Sequence, residues 1–309
     1  MENLKVSIGE DIVNWLLEND NPGVRVRTLV GLCSYPGDHP FVKEARERVV
    51  QQLKPAHDYS WMALKGQVLV YNLTALAEMG LTFEDVPIEP IVDRLLSQPF
   101  DANCADLMTL RALVMLGYAH DNRVVDRLKQ IEDTVLPDGG WLCLHRVQKL
   151  DRTPKSCIKV NMHGLLLAGE LRKRSVEMPG TGQLVQYFLK RRLFYRMDQP
   201  TRLVLNQPGR RMTDIFFPNE YFHVGLPVLL EALAVLGAGK AVELNDAWTL
   251  LEGKKDPQGK IPLEGTLPGN KAYLPKERVG KPSKWATFYA YLAWKNRSSI
   301  ETMLPLLKT

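Results

Sequence analysis

Apolar residues recur along this chain in two kinds of segment. In one kind they run nearly without interruption: Leu29–Cys33 (LVGLC), Leu73–Gly80 (LTALAEMG), Leu110–Gly117 (LRALVMLG), Gly164–Leu171 (GLLLAGEL), Leu230–Gly237 (LEALAVLG) and Phe288–Trp294 (FYAYLAW). Helices of this composition are buried on every side. In the other kind, apolar positions return every three or four residues with charge between them: Phe41–Val50, Ile91–Leu96, Val124–Ile131, Gln183–Arg191 and Ala241–Leu251. That spacing predicts helices with one wet face. Buried and amphipathic segments alternate, and Gly/Pro clusters such as Asn21-Pro22-Gly23, Pro36-Gly37-Asp38 and Pro179-Gly180 punctuate them.

The phrase Leu-x-Ala-Leu-x-x-x-Gly occurs at Leu73, Leu110 and Leu230, with a looser copy at Gly164. Internal repetition of this kind is the mark of stacked helix pairs. An open solenoid and a closed ring both satisfy it. The insertions vary in length and both terminal segments, Val26–Leu32 and Trp285–Trp294, are apolar, as though they seal against each other. The expected fold is all-α, an (α/α)6 toroid of six inner and six outer helices forming a single domain over residues 1–309. Strand signals are confined to short pieces after turns, at Gly140–Cys143 and Gly259–Leu263, and Thr201–Asn219 reads as a long loop or small hairpin.

Two turns carry a family resemblance. Pro137-Asp138-Gly139-Gly140-Trp141 resembles the Asp-Gly-x-Trp turns of the squalene cyclase and protein prenyltransferase superfamily, and Asp256–Ile261 (DPQGKI) is similar to a degraded copy. The opening Trp15–Pro22, the Gly-Gly-Trp-x-Cys turn followed by Ser156-Cys157, and Gly280–Trp285 (GKPSKW) resemble a bacterial squalene-cyclase-like or prenyltransferase-like branch. The resemblance spans nearly the whole chain. It implies an α/α toroid in which such turns join an outer helix to the next inner one, and it puts isoprenoid-like molecules first among ligands. The Asp-x-Asp-Asp proton donor of class II cyclases is absent, the nearest cluster being Asp101–Asp106. The Asp-x-Cys zinc pair of protein prenyltransferases is absent too.

Composition narrows the remaining choices. The chain has 309 residues, 45% hydrophobic and 24% charged, with net charge +5. No apolar tract reaches the roughly 20 residues of a membrane span, and the start of the chain is not a signal sequence. Four cysteines, Cys33, Cys104, Cys143 and Cys157, without a secretory signal point to a cytoplasmic protein with free or metal-bound thiols. In a ring, the inner-helix N-termini share one mouth, where free N–H groups and positive dipole ends favour polar or anionic groups. The residues predicted there are Arg25 and Arg27; Asp58, Tyr59 and Trp61; Asp101, Asn103, Cys104 and Asp106; Cys157 and His163; Tyr221 and His223; and Lys281, Ser283, Lys284 and Trp285.

A polar rim over an apolar interior suits a small apolar molecule with a polar or anionic head, held in a central cavity. His163 and His223 are the candidate acid and base, and Asp101 or Asp106 would orient or protonate. Lys281 and Lys284 would take an anionic head, with Tyr59, Trp61 and Trp285 lining the cavity. Cys143, His145 and Cys157 are candidate ligands for Zn²⁺. Each group has a plainer alternative: Asp and Ser as helix caps, histidines and tryptophans as packing, cysteines as small buried hydrophobes. A non-catalytic carrier using the same cavity is a second reading. The basic stretch Lys190–Arg196 and the pair Arg210-Arg211 leave a third, a helical-repeat nucleic-acid binder, with nucleic acid the disfavoured partner.

Overall fold

The computed structural model describes residues 9–142, 156–266 and 277–299. Among them, helices come in outer–inner pairs. The outer members are α1 (Glu10–Leu16), α3 (Pro40–Gln52), α5 (Glu89–Leu96), α7 (Asn122–Glu132), α9 (Thr181–Leu189) and α11 (Asn245–Glu252). The inner members are α2 (Pro22–Arg27, continuing as a π turn through Leu32), α4 (Gln67–Glu78), α6 (Cys104–Leu113, with a π turn through Tyr118), α8 (Ile158–Arg172), α10 (Leu226–Val235) and α12 (Lys284–Ser299). The expected all-α fold is what the chain adopts. Extended structure among the described residues is limited to isolated bridges, such as Tyr195 with Leu203 and Pro262 with Pro282.

Local chemistry sets the helix ends. Asn103 and Asp106 form a reciprocal capping box at the start of α6. Asn21 caps α2, whose first residue is Pro22. The repeated phrase ends in Gly80, Gly117 and Gly237, all at positive φ (77°, 111° and 85°), where the chain reverses out of an inner helix.

The ring closes. Gly169 of α8 lies so near α10 that a Cβ would sit 3.3 Å from Ala232, and Arg174 donates to the Met115 carbonyl after α6. At the seam, Lys295 of α12 donates to the carbonyls of Gly31 and Leu32 at 2.8 and 3.2 Å and to Ser34 at 2.9 Å. Lys284 at the start of α12 pairs with Glu18 at 2.8 Å and with Asp20, both just ahead of α2. First and last inner helices are thus neighbours, as a solenoid would forbid.

The two turns noticed in the sequence are structural equivalents. In the first, Asp138 accepts from the Ser156 amide and hydroxyl at 3.1 and 2.9 Å, Trp141 N donates to the Asn161 side chain at 3.0 Å, and Cys157 N donates to Trp141 O at 2.7 Å. In the second, Ile261 N donates to the Thr287 hydroxyl and Ser283 N to Ile261 O, both at 2.9 Å. Each turn pins the residue after it to the first turn of the following inner helix. Gly139 and Gly164 are there because nothing larger fits: a Cβ would lie 2.8 Å from Gln183 O and 2.6 Å from the Trp141 ring respectively.

The axis of the ring holds charge. Glu78 (α4), Arg111 (α6), Glu170 (α8), Glu231 (α10) and Tyr289 (α12) are all buried. Arg111 pairs with Glu78 at 2.7 Å and approaches Glu170 at 3.9 Å. Tyr289 donates its hydroxyl to Glu78. Lys173 bridges Glu170 and Glu231 at 3.0 and 2.8 Å, Arg174 pairs with Glu170 at 2.8 Å, and Asn296 donates to Glu231 at 3.1 Å. Burial opposes the charge on Arg111, but Glu78, Tyr289 and Glu170 outweigh it and hold its pKa above the ordinary range. Burial likewise opposes ionisation of Glu170, and Lys173, Arg174, Arg27 and Arg111 reverse that and keep it a carboxylate well below its usual pKa.

Removing one partner would leave a buried charge exposed to an apolar interior. Arg111→Met is expected to lower unfolding free energy by about 3–5 kcal/mol. The double variant with Glu78→Met should cost much less than the two singles added together. Equilibrium denaturation of the four proteins measures both quantities.

Candidate functional site

The inner-helix N-termini do share one mouth, and the segment between α9 and α10 fills its middle. Phe217 stacks on Trp285 with ring centres 4.7 Å apart and a 15° tilt, and reaches Tyr289 at 6.1 Å. Tyr221 packs on Tyr71 of α4 at 5.2 Å and joins Val70 and Met108 in a small buried cluster, with Cys104 against it. The expected central cavity is therefore replaced at this end by aromatic packing.

The hollow that remains lies to one side, between the starts of α4 and α6, the end of α5 and the middle of α7. It holds about 340 Å³. Leu69, Val70 and Leu110 form its buried floor, Leu95 and Phe100 flank it, and Lys65, Arg94 and Arg127 bring cations to it. Arg94 is held by the Met62 carbonyl, and Arg127 by the carbonyls of Leu96 and Gln98, the latter at 2.7 Å, with Phe100 5.3 Å beneath it. These backbone contacts orient the guanidinium groups without neutralising them. Asp106 also lines the hollow. Its carboxylate accepts the amides of Asp101 and Asn103 at 3.0 and 3.2 Å, and burial pushes its pKa up against those bonds.

The other predicted residues are distributed around this mouth. His163 is buried in α8, and its Nε2 lies 3.2 Å from the Tyr221 carbonyl, which makes Nε2 the protonated nitrogen of a neutral ring. Burial lowers its pKa to about 4, the Arg111 charge adding to the effect and the Tyr221 carbonyl opposing it. His223 donates from Nε2 to the Arg211 carbonyl at 3.0 Å and stacks on Phe216, and burial lowers its pKa as well. Both rings hold the capping segment in place. Tyr71 is pushed up to about 12, first by burial and then by Glu220, and Tyr221 is raised by burial and by Tyr71. At neutral pH these phenols are donors, not bases.

Asp58 caps the turn Tyr59–Ala63 by accepting from Ser60 N at 3.0 Å. Trp61 is buried with its indole N–H on Pro55 O, while Tyr59 is 42% exposed on the surface. Asp101 is exposed beside Asp106. Lys284 is engaged by Glu18 and Asp20, and with Lys281 it borders a separate hollow near Trp15. Trp285 is in the core. Cys157 is a buried free thiol at the start of α8, while Cys143 and His145, the other proposed zinc ligands, lie outside the described residues. Among the described residues no group of three or more His, Cys, Asp or Glu side chains is placed to hold a metal ion. In the basic stretch, Arg191 lies on Tyr187, Arg192 pairs with Asp246 and Arg196 pairs with Asp198.

The chain is similar to a solved polysaccharide lyase. The two share 12% identity, with a TM-score of 0.52 over 94% of this chain and 98% of that one. The likeness is one of fold. It runs the length of both chains and agrees with the closed ring of helix pairs. No protein-family model and no curated protein matches the sequence. Among the described residues, no helix is long and apolar enough to cross a membrane.

Sequence reasoning passed over Lys65, Arg94 and Arg127. The available signal was position for two of them, Lys65 just ahead of α4 and Arg94 near the end of α5; Arg127, in the middle of α7, offered none. It also passed over the axial charges, each a single ionic residue inside an apolar phrase.

The neutral buried His163 has a pH consequence. Its folded pKa lies below its unfolded value of 6.5, so the unfolded chain takes up the proton first as pH falls. Stability is therefore complete above pH 6.5 and declines toward pH 4, by about 3 kcal/mol for a shift of this size. His163→Gln should flatten this part of the profile, leaving the decline from His223. Denaturant titrations at a series of pH values provide the check.

Proposed function

We propose that this protein binds a small, largely apolar molecule with an acidic head group in the hollow between the starts of α4 and α6. The observation that carries the reading is the composition of that hollow: about 340 Å³, a floor of Leu69, Val70 and Leu110, and three cations at Lys65, Arg94 and Arg127. An apolar floor with a few convergent charged groups is the usual form of a small-molecule site. Guanidinium groups held by backbone carbonyls are preorganised for a carboxylate or phosphate.

The sequence resemblance to squalene cyclases and prenyltransferases favours an isoprenoid-like body for the ligand. The nearby titratable groups support binding more than turnover: Tyr71 and Tyr221 stay protonated, His163 stays neutral, and Asp106 is occupied as a helix cap. A carrier or sensor role is thus preferred to an enzyme. The free thiol Cys157 is in keeping with a reducing, cytoplasmic setting.

Thermal unfolding with added ligand tests the reading. Geranyl diphosphate and decanoate serve as probes, with galacturonate as a saccharide acid for comparison. A probe at a hundred times its Kd should stabilise the protein by about 2.7 kcal/mol. Arg127→Gln and Arg94→Gln should each weaken binding at least about tenfold, as expected for loss of a charge-assisted bond. Stabilisation by galacturonate but by neither amphiphile would overturn the proposal.

A further inference from the structure

We propose that the opposite end of the ring holds a second binding site, for a small organic monocarboxylate, with Arg27 as the residue that pairs with its head group. The inner helices end at this second mouth. A cavity of about 430 Å³ opens there, with walls of Val30, Val235, Phe288 and Leu292 and with Arg27 and Asn296 among its polar residues. Gly31 contributes no side chain and lies close enough to Phe288 that a Cβ would be 3.4 Å from the ring.

Charge accounting singles out Arg27. The other cations of the axial layer have direct partners: Arg111 on Glu78, Lys173 on Glu170 and Glu231, Arg174 on Glu170. Every carboxylate of the layer is therefore already matched. Among the described residues no ion pair or hydrogen bond reaches the Arg27 guanidinium, and its Nε is buried without an acceptor. The Phe288 ring lies 5.7 Å from its Cζ. Arginine does not lose its proton in a protein, so a cation lies at this cavity with no carboxylate in contact, Glu170 and Glu78 acting on it only through space.

The same accounting selects the ligand. The layer holds four cations, Arg27, Arg111, Lys173 and Arg174, against three carboxylates, Glu78, Glu170 and Glu231, which calls for a monoanion; a second negative charge would be repelled by Glu170, which lines the cavity, and by Glu231 beside it. A planar carboxylate matches the guanidinium fork. The apolar walls and the Phe288 ring suit an aryl or short alkyl body. This site does not depend on the hollow at the other mouth, and neither reading requires the other.

Calorimetric titration with sodium benzoate, against sodium chloride at equal ionic strength, is the test. Saturable benzoate binding to the wild type is expected. It should fall at least about tenfold in Arg27→Gln and also in Val30→Trp. The second variant crowds the cavity from a residue that is 40% exposed, and so keeps the fold if loss of Arg27 does not. In Arg127→Gln, which weakens the hollow at the other mouth, the benzoate binding that Val30→Trp removes should persist. Three results would each overturn the proposal: no saturable benzoate binding to folded wild type, equal binding by chloride, or benzoate affinity that survives Val30→Trp and falls in Arg127→Gln.

Discussion

Five of the six inner helices meet in one buried ionic layer, and the sixth lends it Arg27 through space. Such a layer is an expensive way to fill an axis. Each ion gives up hydration that a leucine would not need, and the mutual attraction repays this only where the geometry is good. What the layer supplies is registry. Leucine and alanine side chains tolerate a slip of one helical turn with modest repacking. Glu78, Arg111, Glu170 and Tyr289 do not, because a slip would leave a charge in the interior without its partner. Helices of nearly uniform composition are thereby fixed at one height around the ring.

The two mouths inherit different characters from this arrangement. At the N-terminal end the capping segment brings Phe217 and Tyr221 onto the axis, so binding space is displaced outward, toward α5 and α7. At the other end the ionic layer itself forms part of the wall, and Arg27, which among the described residues has no carboxylate in contact, lines the cavity there. The expectation of a single vestibule over a hollow core came from the parallel inner helices alone. It had no means of anticipating that Thr201–Asn219, read as loop or hairpin, and the residues just after it would fold into the opening.

Much of the architecture was legible because it repeats. The phrase ending in Gly80, Gly117 and Gly237 marks inner-helix ends, and each of these glycines adopts the positive φ that such an end requires. The turn at Asp138–Trp141 and its faded partner at Asp256–Ile261 make the same backbone connections although only the first retains the tryptophan. The helix Glu10–Leu16 was not predicted, being short and lacking the repeat. The axial charges were hidden in plain view: periodicity weighs a segment such as LEALAVLG as apolar, and a lone Glu231 changes that weight little. For the candidate site, sequence indicated the correct end of the helices but not the use of each side chain. Asp106 caps, Lys284 clamps the seam and His163 holds a carbonyl, and these tasks depend on partners from distant parts of the chain.

The central claim is that the ring stands or falls as one unit through its ionic layer. Native-state hydrogen exchange under increasing denaturant measures this most directly. Amides in the middle of α4, α6, α8, α10 and α12 should exchange through a single opening whose free energy equals that of global unfolding. If α12 instead exchanged at far lower free energy, by separating from α2 while the remaining inner helices stayed protected, the layer would not be what holds the ring closed.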